Sequence, residues 1–268
     1  LSFLRNNIND SYVGMTLIDN DINVPGWKKS TAFLEKHKNV YIEKGLDNTG
    51  NLLSLDNLKF CNEKYKGSID LVTADGGFDF SIDFNSQETV SANLILCQII
   101  YAIAVQKKGG NFFIKFFDTF TEASLQMIYL LALLYEEVYF VKPNTSRYAN
   151  SEKYIVCKKF KLHDTSKIMQ KIFTMFTKIC NNDNIISILS LEIPYLFTNQ
   201  VEGLNAIYGQ QQLDSISNTL NLINNNKPEK IESIKKNNIQ KCVSWCQKYN
   251  LPFNKINFSN NIKLNQNI

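Results

Sequence analysis

Three ionisable residues, Asp75, Lys115 and Glu152, stand where acid–base chemistry could be done. Asp75 follows the apolar run 69–74, Lys115 lies inside an aromatic run, and Glu152 directly precedes a third apolar run. They are 40 and 37 residues apart along the chain, and each separation corresponds to about one helix plus one strand. Because adjacent strands of one sheet can then bring the three side chains to the same edge, the spacing predicts a pocket in which a lysine lies between two acids.

The surroundings of Lys115 suit a general base. Its neighbours are apolar, so we expect partial desolvation, which favours an amine that can accept a proton, while nearby acids oppose that effect. The alternative is an ordinary strand lysine whose amine reaches solvent. The alignment of Lys115 with Asp75 and Glu152 favours the first interpretation. The apolar neighbours are Phe112, Phe113, Ile114, Phe116 and Phe117.

The stretch that contains Asp75 has the form of a ligand-binding strand end. Residues 69–74 predict a buried parallel strand, and a carboxylate at its C-terminal end would point into the crevice where open α/β sheets bind ligands. Gly76 and Gly77 would let a substrate or cofactor approach the backbone. The alternative is a strand followed by a turn in which the aspartate is a helix N-cap.

The order of the predicted elements indicates an α/β fold. The last strand follows its predecessor after a short loop, so we expect it to be antiparallel in a mostly parallel sheet, an ending typical of Rossmann-like methyltransferases. Gly109-Gly110 is expected to end the longest helix. Strands are predicted at 12–17, 39–43, 69–74, 111–117, 137–141 and 153–158, and helices at 53–62 (capped by Ser54), 85–108 and 121–135 (capped by Thr121).

The C-terminal part of the sequence is helical and carries no identifiable chemistry. Helices are predicted at 167–180 and 228–249, and residues 185–222 predict a helical pair broken near Pro194. We therefore expect a catalytic domain at 1–160 and a helical extension at 161–268.

Composition excludes few classes of function. The formal net charge is +4, which permits a nucleic-acid partner without arguing strongly for one. The six cysteines form no CxxC pair, so we expect reduced thiols, no metal site and an intracellular protein, nuclear or cytoplasmic, with a viral factory or virion as a further alternative. We expect no membrane association, because no apolar run of about 18 residues stands out.

Several motifs together resemble the FtsJ-like ribose 2′-O-methyltransferases, and within them most closely the mRNA cap methyltransferases of eukaryotes and large DNA viruses. The resemblance covers residues 1–158. The matching stretches are Gly14-Met-Thr-Leu17, Asp47-x-Thr-Gly50, Ala74-Asp-Gly-Gly-Phe78, Gln87-Glu88, Lys115-Phe-Phe-Asp118, Lys142-Pro143 and Ser146-Arg-x-x-Asn-Ser-Glu152.

The resemblance implies roles for the three ionisable residues. The family uses a Lys-Asp-Lys-Glu tetrad, and Asp75, Lys115 and Glu152 match its second to fourth members. Lys115 would deprotonate or orient a ribose 2′-hydroxyl that takes a methyl group from S-adenosylmethionine. Asp75 and Glu152 would set the position and charge of the lysine. Most of the rate would come from alignment of the nucleophile with the methyl group.

The resemblance also implies binding residues. Asp75 and Gly76 would lie near the cofactor. Asn51 stands where the family often has an acid on the adenine side, and its amide oxygen can still accept a hydrogen bond from the adenine amine. Asp19 follows a strand, where acids often hold ribose hydroxyls, although an ordinary acidic loop is the alternative. The RNA is expected to meet Ser146, Arg147 and Asn150.

One part of the family pattern is missing. The first lysine of the tetrad and the glycine-rich cofactor loop lie upstream of the strand that matches residues 12–17, and Leu1 is expected to begin just after that loop. We therefore expect the chain by itself to bind the cofactor poorly.

Three functions remain open from the sequence. The first is cap ribose 2′-O-methylation, with capped RNA and possible capping enzymes as partners. The second is ribose methylation of rRNA or tRNA, and the third is a catalytically silent RNA-binding scaffold of a capping assembly. Joint retention of Asp75, Lys115 and Glu152 argues against the scaffold, and the helical extension after residue 164 argues for the cap enzyme.

Overall fold

The structure is a computed structural model that describes residues 7, 9–19, 21, 24, 26–78, 83, 85–181, 185–225 and 228–254. The chain divides into two compact units, residues 1–210 and 211–268. This division lies inside a long helix, and the domain boundary predicted near residue 160 stays a prediction.

The strands of the described residues form two sheets. A two-stranded sheet pairs β1 and β2 in parallel, and a four-stranded sheet has the order β3-β4-β6-β5. Strand β3 is parallel to β4, whereas β6 is antiparallel to both β4 and β5. This confirms the predicted α/β architecture with an antiparallel last strand. The strands are β1 (Tyr12–Met15), β2 (Val40–Glu43), β3 (Ile69–Ala74), β4 (Gln106–Phe116), β5 (Tyr135–Val141) and β6 (Lys153–Phe160).

Seven α-helices are described. Two predicted caps are confirmed: the side chain of Ser54 accepts a hydrogen bond from the Asn57 amide, and that of Thr121 accepts one from the Ser124 amide. Such caps satisfy amide groups that the first helical turn leaves unbonded. The helices are α1 (Thr31–Lys36), α2 (Leu55–Tyr65), α3 (Gln87–Val105), α4 (Glu122–Leu134), α5 (Ser166–Cys180), α6 (Tyr195–Asn225) and α7 (Pro228–Lys248).

Two predicted boundaries were wrong. Helix α3 ends at Val105, and Gly109-Gly110 lies within β4 at an irregular part of its pairing with β3. The predicted helical pair at 185–222 contains helix only from Tyr195 onwards. In the segment before it, the backbone amides of Ile188 and Leu189 donate to Oε1 of Gln126 at 2.6 and 2.8 Å, so a side chain of α4 satisfies them in place of helical carbonyls.

Helix α3 is the centre of the core. From Ile95 to Ala104 every residue is buried, against fully buried Phe112 and Ile114 of β4. The expectation that no segment reaches membrane-spanning length was wrong, because α3 is long and apolar enough by length and composition. Two-thirds of its most apolar window is buried inside the fold, as in the core helix of a globular domain.

Strand β3 is less buried than its apolar sequence predicts. Leu71 is 39% exposed, and Ile69 and Val72 are half-buried. The reason lies in the pairing: in the described part of the chain β3 is bonded only to β4, and its other edge faces a cleft. The two-stranded sheet lies across that cleft, where β1 in turn is bonded only to β2.

Candidate active site

Lys115 and Asp75 form the centre of the site. The parallel pairing of Ala74 with Ile114 places the next residue of each strand side by side. The ammonium Nζ of Lys115 lies 2.8 Å from Oδ1 of Asp75 and donates to its backbone carbonyl oxygen at 3.1 Å. The side chain of Lys115 is only 15% exposed, whereas that of Asp75 is 70% exposed. The amine is therefore held in place by two acceptors from one residue, beside a carboxylate that is open to a ligand.

Glu152 reaches the same place through a residue that the sequence analysis missed. Tyr154 is the register partner of Lys115 across β4 and β6, and its hydroxyl donates to Oε1 of Glu152 at 3.0 Å. Burial raises the pKa of Tyr154, and the charges of Glu152 and Asp75 raise it further. The structure thus joins Asp75 to Lys115 directly and places Glu152 behind Tyr154. The available sequence signal was spacing: Glu152 and Tyr154 are two apart, so they share a face of the strand.

Lys142 organises the loop that leads to Glu152. Its Nζ donates to the carbonyl oxygen of Asn150 at 2.8 Å, to Oδ1 of Asn150 at 2.7 Å, and to the carbonyl oxygen of Glu152. Burial lowers the pKa of Lys142, while the charge of Glu152 opposes that shift. Asn150, which we predicted to contact RNA, therefore has its amide oxygen turned to a lysine of the protein itself.

The other two predicted RNA contacts lie on the outer part of this loop. Arg147 is exposed, and Ser146 is half-buried with its amide donating to the carbonyl oxygen of Pro143 at 2.8 Å. In the described residues no carboxylate pairs with the guanidinium of Arg147. An exposed arginine beside a strand end is suited to contact phosphate.

The two glycines after Asp75 differ in what surrounds them. The amide of Gly76 donates to Oε1 of Gln98 at 2.9 Å, and a Cβ at Gly76 would lie 2.8 Å from that same oxygen. A Cβ at Gly77 would lie 3.4 Å from Nζ of Lys115. Absence of a side chain at Gly76 thus serves the packing of core helix α3, and at Gly77 it leaves room beside the lysine.

The predicted cofactor residues on the other sheet lie in ordered loops. Asp19 is exposed, and its carboxylate accepts from the amide of Asp21 at 2.9 Å, a local turn that also suits the acidic-loop interpretation. The side-chain oxygen of Asn51 accepts from the amide of Leu53 at 2.9 Å. Buried Asn57 holds this loop, because its side-chain amide donates to the carbonyl oxygen of Asn51 at 3.0 Å.

A cavity of about 330 Å³ separates the two sheets. It is lined by Ile69 and by consecutive residues of β3 from Leu71 onwards, ending at Asp75 and Gly76. Since successive side chains of a strand alternate between its faces, lining by consecutive residues means that the cavity follows the edge of β3. Of the cavity, only the end that is lined by Asp75 and Gly76 borders the Lys115–Asp75 pair.

The cavity wall contains a buried hydroxyl without a partner. Tyr101 of α3 is 9% exposed, and its hydroxyl makes no hydrogen bond within the described residues. Burial raises the pKa of this phenol. A buried hydroxyl of this kind is stabilised when a polar group of a ligand or of further chain reaches it.

Two relatives are similar to the chain in sequence. The sequence is 32% identical over 182 residues to the Drosophila melanogaster cap-specific mRNA (nucleoside-2′-O-)-methyltransferase 2, covering 65% of this chain and 26% of that protein. It is 36% identical over 170 residues to the Bos taurus cap-specific mRNA (nucleoside-2′-O-)-methyltransferase 1, covering 61% of this chain and 20% of that protein. The chain thus spans about a quarter or less of the length of these relatives.

A solved structure gives only a weak likeness. A ribosomal RNA methyltransferase from Plasmodium falciparum aligns over 60% of this chain and 92% of its own, with 21% identity and a TM-score of 0.36. The family comparison is decisive: a sequence model described as FtsJ-like methyltransferase matches residues 10–160, more than half of the chain and all of the site. The chain belongs to the FtsJ-like methyltransferase family, as its motifs predicted.

Proposed function

We propose that the protein is an S-adenosylmethionine-dependent mRNA cap ribose 2′-O-methyltransferase. The observation that carries the proposal is the Lys115–Asp75 pair, a largely buried ammonium held at a strand end in a family of methyltransferases. FtsJ-like methyltransferases use S-adenosylmethionine in general, and the relatives above are named as cap-specific. Both properties are transferred to this chain as proposals.

Some of the residues that line the cavity near Asp75 offer groups that could bind such a cofactor. Asp75 offers an exposed carboxylate, Gly76 lines the cavity beside it, and Tyr101 supplies a hydroxyl that has no partner among the described residues. These groups suit the hydroxyls, amines and cationic centre of S-adenosylmethionine. Asn51 and Asp19 are proposed to meet its adenosine side. Residues 1–11 contain no glycine, so the glycine-rich loop of the family pattern does not come from them.

Bound at this place, S-adenosylmethionine would supply an electrophilic methyl group. The role of Lys115 is then to hold the attacking ribose 2′-oxygen, either as the base that takes its proton or as the donor that orients it. Asp75 fixes the position of the amine through its carboxylate and its carbonyl oxygen. Tyr154, the register partner of Lys115 on β6, donates its hydroxyl to Glu152. Because the lysine is mostly shielded from water, its electrostatic effect on the oxygen is strengthened.

The loop 143–152 is proposed to receive the RNA. Arg147 is exposed for phosphate contact, and Ser146 lies next to it. Lys142 keeps the loop in place through Asn150 and Glu152, so Asn150 acts here on the loop more than on the RNA.

The test is methyl transfer from labelled donor to short RNA, measured with the full natural polypeptide. We expect transfer to capped RNA and much less to the same RNA without a cap. Lys115→Ala is expected to lower the rate about 100- to 10,000-fold, the range for loss of a positioned acid–base group. Lys115→Arg keeps the charge but changes the geometry of the donor, and we expect it to stay near the alanine variant.

The outcomes separate the candidate functions. No transfer by the wild-type protein would overturn the enzyme proposal, and equal transfer by wild type and Lys115→Ala would remove the lysine from its role. Equal transfer to capped and uncapped RNA, or transfer to rRNA or tRNA instead, would overturn the cap specificity. Lys158→Ala is a matched control, since this exposed lysine of β6 is 49% accessible and pairs with Glu137.

A further inference from the structure

Phe120 is an exposed aromatic residue in an otherwise well-packed part of the fold. Its side chain is 70% exposed, the highest value of any phenylalanine in the described residues. Single exposed apolar residues are common on proteins and usually need no explanation. What distinguishes Phe120 is the structure on each side of it.

On the N-terminal side, Thr119 is fixed to helix α6. Its hydroxyl donates to Oδ1 of Asn205 at 2.6 Å, and the side-chain amide of Asn205 donates back to the carbonyl oxygen of Thr119 at 2.8 Å. Thr119 is 2% exposed and Asn205 is 9% exposed. Because both partners are buried, these hydrogen bonds are shielded from competing water and hold the backbone firmly.

On the C-terminal side, Thr121 is fixed to helix α3. Both its amide and its hydroxyl donate to Oε1 of Glu88, at 2.8 and 2.7 Å, and Glu88 is 8% exposed. The same threonine also caps α4. The residues before and after Phe120 are thus tied to two different helices by buried polar groups. The fold holds the backbone still at a position where it exposes an aromatic ring.

Phe120 lies near Lys115 along the chain. Phe120 follows the end of β4 by four residues and Lys115 by five, so their Cα atoms are at most about 18 Å apart. Two further exposed aromatic residues lie in loops at the same end of the four-stranded sheet. Phe78 follows Asp75 by three residues, and Tyr148 precedes Glu152 by four. Exposed Arg147 is the neighbour of Tyr148.

We propose that Phe120 is a stacking platform for a base of the single-stranded RNA next to the target ribose. Aromatic side chains beside a basic residue are the usual means by which proteins hold unpaired nucleotides, since every base has a face that can stack. A pre-positioned ring makes this contact without the entropic cost of ordering a loop. The inference rests on the proposed function, because it assumes that RNA is the substrate at this edge.

The test compares four substitutions at one position in the full natural polypeptide. Affinity for a short capped single-stranded RNA is measured by fluorescence anisotropy, and KM and kcat are measured by methyl transfer. Phe120→Ala is expected to weaken RNA binding and raise KM about 5- to 150-fold, the range for loss of one stacked base, with kcat within about twofold of wild type. Phe120→Trp and Phe120→Tyr should restore binding, whereas Phe120→Leu should resemble alanine because it keeps apolar bulk but no flat ring.

A second comparison identifies the stacked base. RNA with an abasic site at one position at a time is bound to wild type and to Phe120→Ala. The position at which base removal weakens wild type but has no further effect on Phe120→Ala is the partner of the ring. Leu133→Ala is the control. It removes a 46% exposed side chain near the C-terminal end of α4, the helix that begins just after Phe120, and should leave RNA binding unchanged.

Unchanged RNA binding by Phe120→Ala would overturn the inference. So would full restoration by Phe120→Leu, which would indicate an apolar contact with another protein. Absence of methyl transfer by the wild-type protein would instead overturn the proposed function, while the binding comparison among the Phe120 variants would still decide the role of the ring.

Discussion

The two sheets of the molecule are stabilised in different ways. The four-stranded sheet has an apolar core, in which Phe112, Ile114, Phe116 and Ile155 are each fully buried. In the two-stranded sheet the strands are four residues long, and the buried residue is a carboxylate, Glu43. The apolar sheet carries Lys115, Asp75 and Glu152, whereas the smaller sheet carries the loops with Asp19 and Asn51.

From this difference we expect the larger sheet to contribute most of the stability and the smaller sheet to adjust more readily to a ligand. Packing against α3 holds the strand that carries Lys115 in place before any ligand arrives, as the proposed pre-organised catalysis requires. The smaller sheet depends on directional polar contacts: Glu43 accepts from Lys64 and Tyr65 of α2, and Asn57 holds the loop that contains Asn51. Regions with few buried apolar contacts open locally at low free-energy cost. The structure therefore separates a rigid half, which carries Lys115 and Asp75, from a softer half, which carries the loops proposed to meet the cofactor.

The largest expected effect comes from shortening a buried apolar side chain in the four-stranded sheet. Ile114→Ala is expected to lower the free energy of unfolding by about 2–5 kcal/mol, since Ile114 is 0% exposed and its loss leaves a cavity. Val13→Ala, at 37% exposure in β1, should cost less than about 1 kcal/mol. Urea unfolding of the chain measures both values.

Hydrogen exchange on the wild-type chain provides the check on that contrast. Amides of β4 and β6 should exchange only through global unfolding, and those of β1 and β2 through cheaper local opening. Equal protection from exchange in the two sheets, or equal destabilisation by the two substitutions, would show that the two sheets form one cooperative core.

Much of the larger sheet could be predicted from its sequence because its signals are local. The run 69–74 predicted β3 with its observed bounds, and the aromatic run around Lys115 predicted a strand at 111–117 that overlaps the C-terminal part of β4. Spacing alone placed Lys115 beside Asp75, since parallel pairing of adjacent strands leaves few other arrangements.

The features that sequence could not supply depend on side-chain partners far along the chain. Spacing puts Tyr154 on the same face as Glu152, but only the register of β6 shows that Tyr154 lies opposite Lys115. The burial expected for β3 failed because burial depends on what pairs with both edges, which an apolar run does not encode. Gly76 looked like a site of ligand approach, yet its missing side chain makes room for Gln98, 22 residues away.

Glu43 offers an intermediate effect that sharpens the comparison. Although burial alone would raise the pKa of Glu43, hydrogen bonds from Lys64, Tyr65 and the Gly45 amide lower it below its ordinary value of 4.5. A lowered carboxyl pKa adds stability that is fully present above the unfolded-state pKa and is lost as pH falls through the folded-state pKa. Glu43→Gln should therefore lose about 1–3 kcal/mol at neutral pH, the worth of hydrogen bonds to a charged group, and show a flatter acid limb.

Unfolding free energy measured from about pH 7 to about pH 3 tests this linkage. Glu136→Gln is the control, because its partner Lys159 lies 3.1 Å away in an exposed pair, and solvent screening leaves such pairs with little effect on stability. If the free energy of unfolding falls as steeply with decreasing pH in Glu43→Gln as in wild type, other carboxyls cause the pH dependence. Such a result would contradict the view that the charged Glu43 stabilises the small sheet.

The smallest effect is expected at Tyr154 and is seen mainly in activity. Tyr154→Phe removes the hydroxyl that donates to Glu152 but keeps the ring, whose centroid lies 4.7 Å from that of Phe113. Loss of one hydrogen bond to a charged group behind the lysine should lower kcat/KM about 5- to 20-fold and lower the free energy of unfolding by about 0.5–1.5 kcal/mol. Tyr139→Phe, which breaks an exposed contact with Glu137 on β5, should alter neither quantity. An unchanged kcat/KM would mean that the rigid sheet positions Glu152 without Tyr154, whereas a loss as large as that of Lys115→Ala would place the hydroxyl against the reacting atoms.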